Sequence, residues 1–331
     1  MTDDSWHWQE PETAWRGVGI YHITLTVPFR QPLLGDLIIP DNDPKQAHVE
    51  RKDLGKEIVY IIGSIHDYRP EIRLLQYCLM PDHVHFILYV QRAMPYSIKS
   101  VVRGFWQAAK KVGREYNNIL SINPNDIRDN KQNRDNEQRL FPIFTDVPFI
   151  RPLSRHGQLD AMMQYVKLNP QRLATKRLKP EFFFVQDNVE INGRIYSAVG
   201  NARILTLAER APVHVRHTMT EQARLGNPKP LTDYMDSCYK AARQGSVMVS
   251  PFISQYERDV LDLLIREKHP VIYLADNGFR DYYKPSARLF DAVDAGNMLI
   301  LSPWSYDPSK KHVSRTDCIA LNSIAEEICR I

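Results

Sequence analysis

The residues best suited to chemistry in this 331-residue chain sit in Met80-Pro81-Asp82-His83-Val84-His85-Phe86. On a strand, residues i and i+2 face the same way, so His83 and His85 would present two imidazoles side by side. Their Cα atoms would lie roughly 6.6 Å apart, close enough for both rings to hold one metal ion. With 11 histidines in the chain, chance alone supplies about 0.37 His-x-His pairs, so the pair also fits two ordinary histidines. A second candidate lies further on, in QLDAMMQYVKLNP (158–170). Tyr165 and Asn169 are four apart and share one helix face. A phenol beside an amide could supply a nucleophile and a neutral oxygen ligand. The spacing alone favours a packed tyrosine and an Asn cap before Pro170.

Between 151 and 180 stand Arg151, Arg155, Lys167, Arg172, Lys176, Arg177 and Lys179, against one acid, Asp160. Such a cluster could neutralise phosphates or form a solvated basic face. The whole chain carries a net charge of only +4, which neither shows nor excludes a nucleic-acid partner. Hydrophobic residues are 43% and charged residues 25%, a globular balance. The longest apolar runs, such as Phe86 to Val90, are far short of the roughly 20 residues a membrane helix needs. The acidic, polar start MTDDSWHWQEPETAW lacks the apolar region of a secretory signal. Cys78, Cys238, Cys318 and Cys329 are scattered without a CxxC pair, so neither a disulfide scaffold nor a thiolate zinc ribbon is expected. A cytoplasmic setting is the expectation.

The elements that must position these residues are legible in part. Residues 18–28 read as a strand ending at Pro28, and 29–56 as a loop or loose hairpin. Glu57 to Ile65 fits a strand or the start of a helix. Ile72 to Met80 and His83 to Val90 read as a hairpin about Pro81-Asp82. Ser97 to Tyr116 has helical spacing, with Ile98, Val101, Val102, Phe105 and Ala109 as its apolar stripe. Residues 117–140 form a polar tract, read as a mobile surface loop. Gly157 to Leu168 is a second helix, expected to stop at Pro170. From about 193–230 the pattern changes. Strands at Ser246–Pro251, Pro270–Ala275 and Met298–Pro303 then alternate with helices at Gln255–Lys268, Ser286–Ala295 and Thr316–Ile331. Repeated βα units predict a parallel sheet. The expected domains are therefore 1–195 and 196–331, in keeping with the length.

In that order, YHITLTV, LMPDHVHFILYV, IKSVVRGFWQAAKK and GQLDAMMQYVKLNPQRL resemble the single-tyrosine HUH transposases, most nearly the REP-associated tyrosine transposase branch. The likeness spans about residues 15–185. It implies an α+β ferredoxin-like fold with an antiparallel sheet. It also implies His83, His85 and Asn169 as ligands of Mg²⁺ or Mn²⁺, and Tyr165 as the nucleophile. The partner would be single-stranded or hairpin DNA, cleaved and rejoined through a 5′-phosphotyrosine, with Arg151, Arg155, Lys167, Arg172 and Lys176 on the DNA and a homodimer allowed. A free phenol has a pKa of about 10, so the site must assist ionisation. Two stretches depart from the family pattern, the polar 117–140 tract and the Pro-containing Phe144 to Leu153. The C-terminal part resembles the Rossmann-like domains of the DNA-processing protein A and lysine decarboxylase-like group, without a GxGxxG or Walker loop after its first strand. Its strand ends near Ser250 and Asp276-Asn277-Gly278 are where a ligand crevice would lie.

Two other classes stay open: a domesticated, non-catalytic DNA-hairpin-binding protein, and a metal hydrolase using His83 and His85 alone. His22 reads as a core histidine, with the site as the other placement. His156 reads as exposed and Phe105 as core, while Trp106 is left between core and base stacking. His214 and His217, on an expected strand, would diverge.

Overall fold

The computed structural model describes residues 18–121, 143–145, 147–280, 283–310 and 312–330, with only the helical backbone for 114–121. The acidic N-terminal stretch and residues 122–140 of the polar tract lie outside the described residues. Residues 117–121, expected in that tract, continue a helix instead. The chain divides into two compact units, Met1–Thr175 and Lys176–Ile331.

The first unit is built on β1 (Gly19–Thr26), β2 (Gly35–Ile38), β3 (His48–Arg51), α1 (Asp53–Gly63), α2 (Ile65–Tyr68), β4 (Ile72–Met80), β5 (His83–Val90), α3 (Ile98–Ser121), β6 (Phe149–Pro152), α4 (Gln158–Lys167) and α5 (Asn169–Leu178), whose last residues pass into the second unit. Its main sheet has the order β4-β5-β1-β6 and is antiparallel throughout. Residues 29–56 supply the antiparallel ribbon β2–β3. The segment that fitted strand or helix, Glu57 to Ile65, lies in α1 and α2: Leu54, Ile58 and Ile62 recur at helical spacing and are all buried.

Alternation along the strands gives the sheet two distinct faces. Val84, Phe86 and Leu88 of β5, with Tyr21, Ile23 and Leu25 of β1, pack beneath α1 and α3, where all five residues of the expected stripe on α3 are buried. Phe86 and Phe105 stack with ring centroids 5.4 Å apart. The other face carries Ile87, Cys78 and Met80, covered by Val166, Met162, Met163 and Tyr165 of α4. His83 and His85 alternate with Val84 and Phe86 and so belong to this second face. Pro170 does not end the helical path as expected. The chain bends at Leu168 and resumes as α5, with Pro170 in its first turn, where a missing N–H goes unused.

The second unit contains α6 (Pro180–Phe183), β7 (Gln186–Ile191), β8 (Arg194–Gly200), β9 (Arg210–Pro212), α7 (His217–Arg224), α8 (Lys229–Arg243), β10 (Val247–Ser250), α9 (Gln255–Arg266), β11 (Val271–Leu274), α10 (Ala287–Asp294), β12 (Met298–Ser302) and α11 (Arg315–Cys329). Its sheet has the order β7-β8-β12-β11-β10-β9. Strands β9 to β12 are parallel neighbours in sequence order, as βα units require. The sheet is nevertheless mixed rather than parallel, because β8 joins β12 antiparallel and β7 joins β8. Asn192 and Gly193, both at positive φ, close that hairpin in two residues. This pairing places β7, which lies within the expected 1–195 domain, in the second sheet. Helices α8, α9 and α10 cover one face and α11 the other. Ser254 with Glu257 and Ser314 with Asp317 form capping boxes that start α9 and α11. Among the described residues no helix is long and apolar enough to cross a membrane.

Candidate metal and nucleophile site

The β4–β5 hairpin pairs Met80 with His83, leaving Pro81-Asp82 as a two-residue turn. The turn is pinned from outside: the Val27 N–H donates to the Asp82 carbonyl at 2.8 Å and the Leu34 N–H to the Pro81 carbonyl at 3.0 Å. From this anchored turn the two imidazoles converge. His83 Nε2 lies 3.1 Å from His85 Nε2, and the ring centroids are 4.7 Å apart at an interplanar angle of 85°.

The other nitrogen of each ring has its own partner. His83 Nδ1 is 2.5 Å from Asp82 Oδ1, so it donates its proton to that carboxylate. Burial pushes the Asp82 carboxyl up, but its hydrogen bond from His83, with Arg30 nearby, outweighs it and holds the group below its ordinary value. His85 Nδ1 is 2.8 Å from Thr24 Oγ1 and 3.1 Å from His22 Nε2. Thr24 stands directly opposite His85 in the β1–β5 register, and His22 stands diagonally.

Asp82 places the His83 proton on Nδ1, whereas the Thr24 hydroxyl and the His22 ring can each give or take a hydrogen bond at His85 Nδ1. When His85 Nδ1 donates, both Nε2 atoms turn lone pairs toward each other across 3.1 Å and a cation between them relieves the repulsion; in the other tautomer His85 Nε2 donates to His83 Nε2. For metal–nitrogen bonds of about 2.1 Å, a right angle at the ion separates the nitrogens by about 3.0 Å and a tetrahedral angle by about 3.4 Å. The observed separation falls between these, so the donor pair fits a divalent ion. An Asp82–His83 contact of this kind would orient the ring if it held a metal.

His22 is buried, at 4% exposure, and its Nδ1 has no hydrogen-bond partner among the described residues. Burial, and then the charge of Arg151, push its pKa down to about 4, so the ring is neutral near pH 7. Arg151 lies opposite His22 in the β1–β6 register, on the same sheet face. The sequence offered core and site as alternatives for His22, and the residue is at once buried and in contact with His85.

Tyr165 comes down from α4 onto this cluster. Its ring meets His85 edge-on at 5.5 Å between centroids and His22 at 6.3 Å. The Arg172 guanidinium lies 5.7 Å from the Tyr165 ring centroid. Asn169, at 3% exposure, opens α5 one turn beyond Tyr165. Among the described residues, no group of three or more His, Cys, Asp or Glu could hold a metal ion. A third protein ligand beside the two histidines would therefore be of another type, such as an amide oxygen.

The residues expected on DNA separate into distinct environments. Arg155 and Lys167 are exposed, and Arg151 is half-buried beside His22. Arg172 is 6% exposed and belongs under Tyr165. Lys176 falls in the second unit, where its ammonium donates to the Tyr283 carbonyl at 3.4 Å and burial lowers its pKa. Trp106 donates to the Thr145 carbonyl at 3.1 Å, and Lys110 lies over its ring. His156 is exposed. His214 follows β9 and His217 begins α7, so neither stands on a strand. In the second unit Ser250 Oγ accepts the Phe252 N–H, the Asp276 carbonyl accepts from Lys310, and Asn277 is bonded to the Asp307 backbone. Strands β9 to β12 run in sequence order across the sheet, so no reversal of order opens a crevice among them.

No family model matches this chain, and no curated protein matches it. Nine chains of solved structures are similar to it, among them the following two. One is a REP-associated tyrosine transposase bound to a REP hairpin, 12% identical, with a TM-score of 0.29, covering 50% of this chain and 72% of that one. The other is a candidate transposase from Deinococcus radiodurans R1, 17% identical, with a TM-score of 0.26, covering 48% of this chain and 96% of that one.

Proposed function

We propose that the first unit is a ferredoxin-like HUH domain that cleaves and rejoins single-stranded DNA through Tyr165, with a divalent metal held by His83, His85 and Asn169. The second unit is read as a Rossmann-like accessory domain. The observation that carries the catalytic reading is the convergence of two Nε2 atoms at 3.1 Å, a spacing that one divalent ion could bridge, with the Tyr165 ring against one of the two imidazoles.

When bound, Mg²⁺ or Mn²⁺ would polarise a non-bridging oxygen of the scissile phosphate, and two imidazole ligands tilt the preference towards Mn²⁺. Asp82 holds the His83 ring in the tautomer a metal requires, and the Thr24 hydroxyl can accept from His85 Nδ1 in that same tautomer. The Tyr165 oxygen attacks phosphorus. A Tyr165 Oη–P bond forms, the P–O3′ bond breaks, and the phenolic proton is balanced by one taken up at the departing 3′-oxygen. The buried Arg172 charge over the ring favours negative charge on the phenol oxygen. The ester keeps the energy of the phosphodiester, so a 3′-hydroxyl can reverse the step without ATP. Arg151, Arg155 and Lys167 stand on the elements that carry the site and suit the flanking phosphates.

The experiment incubates the full chain with a 3′-labelled hairpin bearing single-stranded flanks, with Mn²⁺ or with chelator. A labelled species that survives denaturation is expected with Mn²⁺ only and is lost in Tyr165→Phe. Equal adduct from Tyr165→Phe overturns the reading. Tight hairpin binding with no adduct would support the non-catalytic DNA-binding class. Small-phosphoester turnover surviving Tyr165→Phe would support the hydrolase class.

A further inference from the structure

Two turns in the first unit share one backbone conformation. Pro28–Arg30 and Pro40–Asn42 are each a single 3₁₀ turn opened by proline. In each, both residues after the proline have positive φ: 55° at Phe29 and Arg30, 51° at Asp41 and 55° at Asn42. In each, the following N–H returns to the proline carbonyl, from Gln31 to Pro28 and from Asp43 to Pro40. Asp and Asn tolerate this left-handed region; for a bulky side chain such as Phe it is an outlier.

A strained aromatic residue is usually held by the burial of its ring. Phe29 is 85% exposed, so packing does not account for it. The turn is nevertheless fixed in place. Val27 and Leu34, on either side of it, donate their N–H groups to the two residues of the Pro81-Asp82 turn. Arg30 Nη1 lies 3.4 Å from Asp82 Oδ2 and 3.4 Å from His83 Nδ1, with the Arg30 side chain still about half exposed. A pinned, strained turn thus holds a free ring face and a guanidinium beside the first imidazole of the site. Strain kept without a packing return is the mark of a functional position.

We propose that this turn is a nucleotide clamp, in which Phe29 stacks on an unpaired base next to the scissile phosphate and Arg30 bonds a phosphate of the same strand. The proposal rests on the reading of the first unit as a single-stranded DNA enzyme. A flat ring and a planar cation on consecutive residues match the two parts of a nucleotide, its π-face and its anion. Only a base outside a duplex offers that face.

The test uses the full chain, hairpin DNA with 2-aminopurine at single positions flanking the cut, and the variants Phe29→Asn and Phe29→Trp. Asn tolerates positive φ, as does the Asp41 that stands at the same place in the sister turn, so Phe29→Asn should melt at or above the wild-type temperature. It should bind the DNA on the order of tenfold more weakly and lose 2-aminopurine quenching at one position. Phe29→Trp should keep both affinity and quenching. Unchanged affinity and quenching in Phe29→Asn would overturn the clamp. So would a lowered melting temperature, which makes the ring structural, or a dimer-to-monomer shift without a DNA effect, which makes its partner a second copy. The underlying reading fails separately: wild type would then give no Tyr165-dependent adduct, while the quenching still decides whether Phe29 meets a base.

Discussion

His22 Nε2 lies 3.1 Å from His85 Nδ1, on the side of the imidazole away from His83. A buried neutral ring is thereby placed to accept the proton that His85 must carry on Nδ1 for its Nε2 to face a cation. His22→Phe keeps a flat aromatic ring and removes the acceptor. Loss of such an outer partner weakens metal binding roughly tenfold to a hundredfold. Calorimetric titration of Mn²⁺ should show a fall near the lower end, since Thr24 also accepts. Wild-type affinity in His22→Phe combined with Thr24→Val would contradict this arrangement.

Asp82 orients His83 by the same logic and adds a charge. Asp82→Ala should lower Mn²⁺ affinity at least tenfold, with Asp82→Asn between it and wild type. Equal affinities across the three proteins would show that the short Asp82–His83 contact does not support a metal ligand.

Two arginines that look alike in sequence should behave differently. Arg155 is exposed, so Arg155→Ala should weaken DNA binding for all sequences and reduce the salt dependence by about one counterion. Arg172 is buried under Tyr165, so Arg172→Met should instead slow adduct formation by about tenfold, the scale of a desolvated cation–π contact. A salt slope lowered by Arg172→Met as much as by Arg155→Ala would contradict its placement.

The antiparallel addition of β8 to the second sheet rests on Gly200. Its φ is +118°, and an added Cβ would collide with the Met298 carbonyl oxygen. Gly200→Ala should therefore cost more than about 1 kcal/mol, read by denaturant unfolding. A neutral result would argue against the β8–β12 pairing.

Much of this was legible in sequence because periodicity is a local property. The α3 stripe, the β4–β5 hairpin and the alternating elements from β10 to α11 all announce themselves by spacing. What spacing does not carry is contact between distant segments. Phe86 looks like any strand aromatic, and only the fold shows it stacked on Phe105. His22 is a single histidine 63 positions before His85, and no local rule joins them. Arg172 shares its type with Arg155, yet the bend at Leu168 turns it inward. The β7–β8 hairpin did carry a local signal, Asn192-Gly193 between two apolar-containing runs, which the reading of a purely parallel sheet passed over. The strain at Phe29 is invisible in sequence because it is a property of φ, not of composition.

The most direct test of the central claim is peptide mapping of the covalent species. The full chain, incubated with hairpin DNA and Mn²⁺ and then digested with protease and nuclease, should yield one peptide with added nucleotide mass. That mass should lie on Tyr165, joined to the 5′ end of the strand beyond the cut, with a free 3′-hydroxyl on the other fragment. Nucleotide mass on any other residue, or cleavage that leaves every peptide unmodified, would contradict the account.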